Sequence, residues 1–211
     1  MTENRRYDAL LFDFDGVLVD SEPLHYRCWC EVLKPFGLDL DWDTYAKSCI
    51  GVADREMIHQ FAANLGLPFD DLWAQYPRKK ELFRSRNVTE VQFYPETLDL
   101  IRDLARQYKL AVVSSSARVE IEPVIVRAGI RNCFHAMVCG SEVRRLKPAP
   151  DPYLRAAELL DASAPLVIED SEAGELSGRA AGFDVLRLRD AHELSTALRA
   201  KLTSDSGTLL T

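Results

Sequence analysis

Asp13 and Asp15 stand two residues apart in LLFDFDGVLVDS, residues 10–21, straight after an apolar run and just before a glycine. Side chains two apart on a strand share a face. The spacing therefore sets two carboxylates side by side, where they repel unless a cation or a proton lies between them. Further along, LAVVSSS ends on Ser114, Ser115 and Ser116, RLKPAPDP carries Lys147, and PLVIED ends on Glu169 and Asp170. Four carboxylates, hydroxyls and one lysine gathered on one edge make a metal-and-phosphate site. Mg²⁺ takes hard oxygen ligands and keeps water or substrate phosphate in its remaining positions, and lysine supplies a compact positive charge for a phosphoryl oxygen.

Gathering them on one edge requires a particular arrangement of elements. From Tyr94 onward short apolar runs alternate with amphipathic ones: helical PETLDLIRDLARQY, the strand LAVV, helical EIEPVIVRAG, the strand AMVCG, helical DPYLRAAELL, the strand PLVIED, helical GELSGRAAG, the strand DVLRL and helical AHELSTALRAKL. Strict alternation means βαβ units and a mostly parallel sheet, and sites in such sheets lie beyond the carboxyl ends of the strands. The expected fold is α/β, a Rossmann-like parallel sheet. Between the first strand and Tyr94 the pattern is helical only, in EPLHYRCWCEVLKPFG, DREMIHQFAANLG and DLWAQYPRKKELFRSR. About seventy residues of helix inside an α/β chain read as an inserted subdomain. The expected division is a core of residues 1–20 and 93–211 with a helical insert of 21–92. The final stretch, TSDSGTLLT, reads as a loose tail.

Bulk properties narrow the partners. A chain of 211 residues, 47% apolar, can build one large domain or a domain with an insert. It has no apolar run long enough for a membrane span, and its N-terminal stretch meets carboxylates before a signal-peptide core could form. The five cysteines (Cys28, Cys30, Cys49, Cys133, Cys139) have neither disulfide-framework nor metal spacing, which points to reduced thiols and a cytoplasmic protein. A formal charge of −7 argues against a nucleic-acid partner but allows a small anionic substrate. A monomer or weak homodimer is expected.

DFDGVLVDS, VVSSS, LKPAPDPY and VIEDSEAG occur in the order and spacing of the four signature motifs of the haloacid dehalogenase superfamily, and the chain resembles the branch whose helical cap follows the first motif. That branch contains β-phosphoglucomutase and many sugar-phosphate phosphatases. The resemblance implies Asp13 as a nucleophile that forms an aspartyl phosphate and Asp15 as general acid, then base. It also implies that Ser114 and the Ser115 amide hold the phosphoryl group and that Lys147 balances its charge. Asp13, the Asp15 carbonyl and Asp170 would bind Mg²⁺, with Glu169 a ligand or one shell out. In the cap it raises His25 in SEPLHYRCW, and Arg55 in GVADREM becomes a candidate grip for a distal substrate group.

Taken singly, each feature has a plainer reading: Asp13 and Asp15 as turn formers, the serines as an N-cap, Lys147 and Arg55 as solvated, His25 as helix packing. Four motifs in register favour the site for the core residues. Lys79 and Lys80 read as a solvated helix face, with one of them facing the site as the lesser alternative, and His59, His135 and His192 as structural. Within the family, Asp15 argues against dehalogenation and phosphonate cleavage, neither of which has an acid at that position. Phosphoryl transfer remains, to water in a phosphatase or to a sugar hydroxyl in a mutase. Mutases of this branch follow the second-motif serines with polar groups for a far phosphate, commonly lysine and asparagine. This chain has Ala117 and Arg118 there, its GVADREM loop is one residue longer than the mutase form, and YPET replaces the usual YPG. These departures favour a Mg²⁺-dependent phosphatase of a small phosphorylated metabolite. A mutase is the alternative, and a non-catalytic phosphate-binding protein the third.

Overall fold

The computed structural model describes residues 6–206. The chain divides into two compact units, one running to Asp20 and resuming at Gln92, the other Ser21–Val91. The chain enters on β1 (Ala9–Phe12) and β2 (Val19–Asp20). It then forms the helical unit with α1 (Glu22–Leu33), α2 (Trp42–Ser48), α3 (Asp54–Leu65), α4 (Phe69–Trp73) and α5 (Tyr76–Glu90). It returns through β3 (Gln92–Phe93), α6 (Thr97–Leu104), β4 (Lys109–Val113), α7 (Arg118–Arg127), β5 (Ala136–Val138) and α8 (Asp151–Leu160). The last elements are β6 (Pro165–Glu169), α9 (Glu172–Ala180), β7 (Asp184–Arg187) and α10 (Leu194–Ser206).

Five strands form one parallel sheet in the order β5-β4-β1-β6-β7. All four residues of β1 and all five of β6 are buried, as expected for strands covered on both faces. Successive connections run outward in opposite directions from β1, so the switch point of the sheet lies at its carboxyl end. Register then fixes the level of the residues just past each strand. Phe12 lies opposite Val112 on one side and Ile168 on the other, which brings Asp13, Val113 and Glu169 to one level immediately beyond. The amide of Asp13 donates to the Ile168 carbonyl at 3.0 Å, extending the ladder by one step. Beneath this edge, Leu11, Val113, Val138, Tyr153, Ala156, Leu160 and Val167 share one buried cluster.

β1 ends at Phe12, so Asp13 and Asp15 lie just past the strand rather than on it. Gly16 has φ +76°, and its amide donates to the Val19 carbonyl at 2.9 Å, closing the turn that carries the two aspartates. The YPET turn places Glu96 at φ 62°, a left-handed conformation usually left to glycine.

The helical unit has its own core of Trp29, Val32, Leu33, Tyr45, Met57, Ile58, Phe61 and Leu72. Periodicity does not reveal α2, which is short. Its start is written in DWDT, where Asp41 accepts from the Thr44 amide at 2.9 Å as an N-cap. DLWAQYPRKKELFRSR, expected to be helical, runs from the end of α4 into α5, and Pro77 sits in the first turn of α5. The β2–β3 antiparallel pair, at two residues per strand, is likewise too short to show a period. The expected tail is helical through Ser206, and its remainder, like residues 1–5, lies outside the described residues. Among the described residues no helix is long and apolar enough to cross a membrane, and all five cysteines are free.

Candidate active site

Lys147 holds the centre of the sheet edge. Its Nζ donates to Asp13 Oδ1 at 2.7 Å, to Glu169 Oε1 at 2.5 Å and to the Val113 carbonyl at 3.0 Å, which uses its three donors. Its side chain is only 6% exposed and that of Glu169 is fully buried, so this lysine is not the solvated surface residue its type alone suggests. Glu169 accepts five hydrogen bonds. Oε1 takes Lys147 and the Tyr153 hydroxyl at 2.6 Å, while Oε2 takes the amides of Asp170 and Ser171 and the Ser171 hydroxyl. Burial alone would raise the Glu169 carboxyl, but Lys147 and these donors hold it below its ordinary range. Burial would likewise lower the Lys147 ammonium, and Asp13 and Glu169 hold it above.

Asp13 and Asp15 have separate partners. Asp13 pairs with Lys147, whereas Asp15 Oδ2 accepts from Ser116 Oγ at 3.1 Å and lies 3.5 Å from Ser114 Oγ. The Ser114 hydroxyl itself accepts from the Ser116 amide at 3.0 Å. Ser114 is buried at the end of β4 and its amide continues the ladder to the Val138 carbonyl, while Ser115 is exposed in the turn after it.

Asp170 follows Glu169 at the start of the next turn, against the backbone of Gly16, where any Cβ would overlap its carboxylate. Asp13, Glu169 and Asp170 each offer a carboxylate oxygen, all within 4.8 Å of one another. Burial and then Glu169 push the Asp13 carboxyl well above its ordinary value, and the same causes push Asp170 up to about 6. One ammonium thus leaves three clustered carboxylates under-compensated. An oxygen-only donor set with surplus negative charge fits a hard divalent cation such as Mg²⁺.

The turn into α9 protects this arrangement. Ser171 caps the helix by accepting from the Gly174 amide at 3.0 Å, and a Cβ on Gly174 would fall inside the Glu169 carboxylate. Gly174→Ala is therefore expected to displace Glu169 and lower stability by about 1–3 kcal/mol. Urea unfolding of the variant beside the parent checks this, and an unchanged midpoint would refute the close approach.

Of the remaining residues, His25, Arg55, His59 and Lys79 belong to the helical unit, and His135, His192 and Arg118 to the other. His25 stacks on Phe83 with ring centroids 4.0 Å apart, and its Nδ1 lies 2.9 Å from Lys79 Nζ. Lys79 is 1% exposed, which corrects its reading as part of a solvated face. Lys79, Phe83 and Asn87 form the buried stripe of α5, which packs on α1, and the ammonium lies 3.4 Å from Asp54 and over the Trp29 ring. Arg55 is exposed, its guanidinium over the rings of Phe69 and Trp73. His59 stacks on Phe69, His135 Nδ1 accepts from the Leu110 amide, and His192 meets Tyr94 edge to face. Arg118 makes a two-pronged pair with Glu142 at 2.6 and 2.9 Å and donates to the Met137 carbonyl.

Sequence reasoning assigns no role to Tyr153 or Ser171, and it places Ser116 among the hydroxyls of the edge without naming its partner. Tyr153 is visible there only as a letter of LKPAPDPY and of the helical DPYLRAAELL, and its long-range partner leaves no local signal.

Comparisons with known proteins show the family. The family described as haloacid dehalogenase-like hydrolase matches residues 10–188. A fructose-1-phosphate phosphatase of Escherichia coli is 31% identical over 186 residues, covering 87% of this chain and 97% of that protein. A phosphorylated carbohydrates phosphatase of Thermotoga maritima is 28% identical, with 84% and 82% covered. Among solved structures, CbbY from Rhodobacter sphaeroides in complex with phosphate superposes with a TM-score of 0.67 at 27% identity, covering 89% of this chain and 96% of that one.

Proposed function

This chain belongs to the haloacid dehalogenase-like hydrolases, and we propose that it is a Mg²⁺-dependent phosphatase of small phosphomonoesters, sugar phosphates among them, working through an aspartyl phosphate. The observation that carries this reading is the buried Lys147 held between Asp13 and Glu169 at the switch point of the sheet. The names of the Escherichia coli and Thermotoga maritima relatives support the substrate class.

In this reading Asp13 attacks phosphorus and the ester P–O bond breaks, while Asp15 gives its proton to the leaving alcohol oxygen. Asp15 then takes a proton from the water that attacks the aspartyl phosphate, releasing inorganic phosphate and restoring Asp13. Ser114 and the Ser115 amide hold the phosphoryl oxygens, Lys147 neutralises charge on them and on Asp13, and Ser116 steadies Asp15. Asp13, Asp170 and the Asp15 carbonyl would hold Mg²⁺, which supplies positive charge for the phosphoryl oxygens. Glu169, with five donors already on its carboxylate, stands behind as the partner of Lys147. The helical unit, Ser21–Val91, serves as the family's cap and carries His25 and Arg55 as candidates for substrate contact.

A phosphatase is preferred to a mutase because Arg118, the residue that could replace a mutase's grip on a far phosphate, is committed to Glu142 and Met137. A phosphorus NMR time course separates the readings. With Mg²⁺, fructose 1-phosphate and β-glucose 1-phosphate are expected to yield inorganic phosphate. EDTA is expected to stop the reaction and excess Mg²⁺ to restore it. Glucose 6-phosphate appearing without free phosphate, in the presence of a trace of glucose bisphosphate, would establish the mutase instead. Binding without turnover across a phosphomonoester panel would leave only the phosphate-binding protein.

A further inference from the structure

We propose that Tyr153 is a positioning residue for phosphoryl transfer: its hydroxyl shares Glu169 Oε1 with Lys147 and so keeps the ammonium drawn against Asp13. The proposal rests on the phosphatase reading for its kinetic consequence, though not for the contact itself.

Tyr153 is fully buried on α8, in the cluster formed with Leu11, Val113 and Val167. Phenylalanine would fill the same apolar space, so packing does not call for the hydroxyl. A hydroxyl buried there is costly unless bonded, and its partner is a carboxylate of the site at 2.6 Å. That same oxygen, Oε1, accepts from Lys147, while Lys147 divides its three donors among Glu169, Asp13 and the Val113 carbonyl. The position of the ammonium is thus a balance between two carboxylates, and the phenol occupies part of one of them. The Tyr153 ring adds a wall, its centroid 5.1 Å from Nζ. Without the hydroxyl, Glu169 Oε1 leans on Lys147 alone of these two donors, and the ammonium moves toward it and away from Asp13.

The test is Tyr153→Phe, read three ways. With Mg²⁺ and p-nitrophenyl phosphate, kcat is expected to fall about 10-fold while KM changes less than about twofold. The thermal midpoint should stay near that of the parent, and the Lys147 ammonium signal in proton–nitrogen NMR should shift and exchange faster. A kcat equal to the parent's, or a loss of activity that merely follows a lowered midpoint with the Lys147 signal unmoved, would overturn the proposal. A parent protein with no turnover would instead defeat the phosphatase reading, and the Lys147 signal would still decide whether Tyr153 sets the ammonium's place.

Discussion

Asp13→Asn is expected to abolish phosphate release, by more than about 10⁴-fold, while the protein stays folded. An amide is close to a carboxylate in shape, and its oxygen can still accept from Lys147. It cannot attack phosphorus and form a stable acyl phosphate. The fold has little reason to suffer. Asp13 is 8% exposed, and burial together with Glu169 already disfavours its charge, so replacing it with a neutral group relieves one of the clustered carboxylates. Phosphorus NMR on the purified variant, with circular dichroism on the same sample, checks both halves. Turnover comparable to the parent's would remove Asp13 as nucleophile, and a collapsed fold would show that its role is structural.

Lys147→Met should do damage of two kinds. Loss of the ammonium takes away fixed positive charge aimed at the phosphoryl oxygens, a loss expected to lower kcat by about 10²- to 10³-fold. It also leaves Asp13 and Glu169 buried without their cation, which is expected to cost about 3–5 kcal/mol of stability. The pH dependence has a definite sign. The folded protein raises the ammonium's pKa above its ordinary value, so its stabilising contribution is complete at neutral pH and is lost only as pH rises through that raised value. In the variant, falling pH protonates a carboxyl that no longer has a partner, so the gap to the parent should narrow from pH 8 to pH 5. Urea unfolding at both pH values measures it. Equal stability of the two proteins at pH 8 would show that Lys147 is not the counter-charge of this edge.

The local pattern carries the sheet well. ALLF, KLAVV and PLVIE are strands because apolar residues on both faces can be satisfied only under helices on both sides, and that condition is visible in four or five letters. The acidic and basic residues at the strand ends are equally legible, since a parallel sheet leaves its carboxyl edge as the place where such groups collect. Short elements resist. Two-residue strands such as Val19–Asp20 and Gln92–Phe93 have no period to detect, and the seven residues of α2 span barely two turns. Lys79 misleads for a different reason. A lysine type says solvent, and only the packing of α5 on α1, with Asp54 and His25 near the ammonium, shows why this one is buried.

By itself, then, the sequence determined the alternation of longer strands and helices in the α/β core, the helical character of the insert, and which chemical groups arrive at the edge, because these depend on residue type and near-neighbour spacing. Tertiary structure decided who pairs with whom. Asp13 and Asp15, neighbours in the chain, go to Lys147 and Ser116, which lie more than a hundred residues away. Arg118 is bound to Glu142, and Tyr153 reaches Glu169. Such pairings rest on register between non-adjacent strands and on distances between helices, and neither quantity is written in any local stretch of the chain.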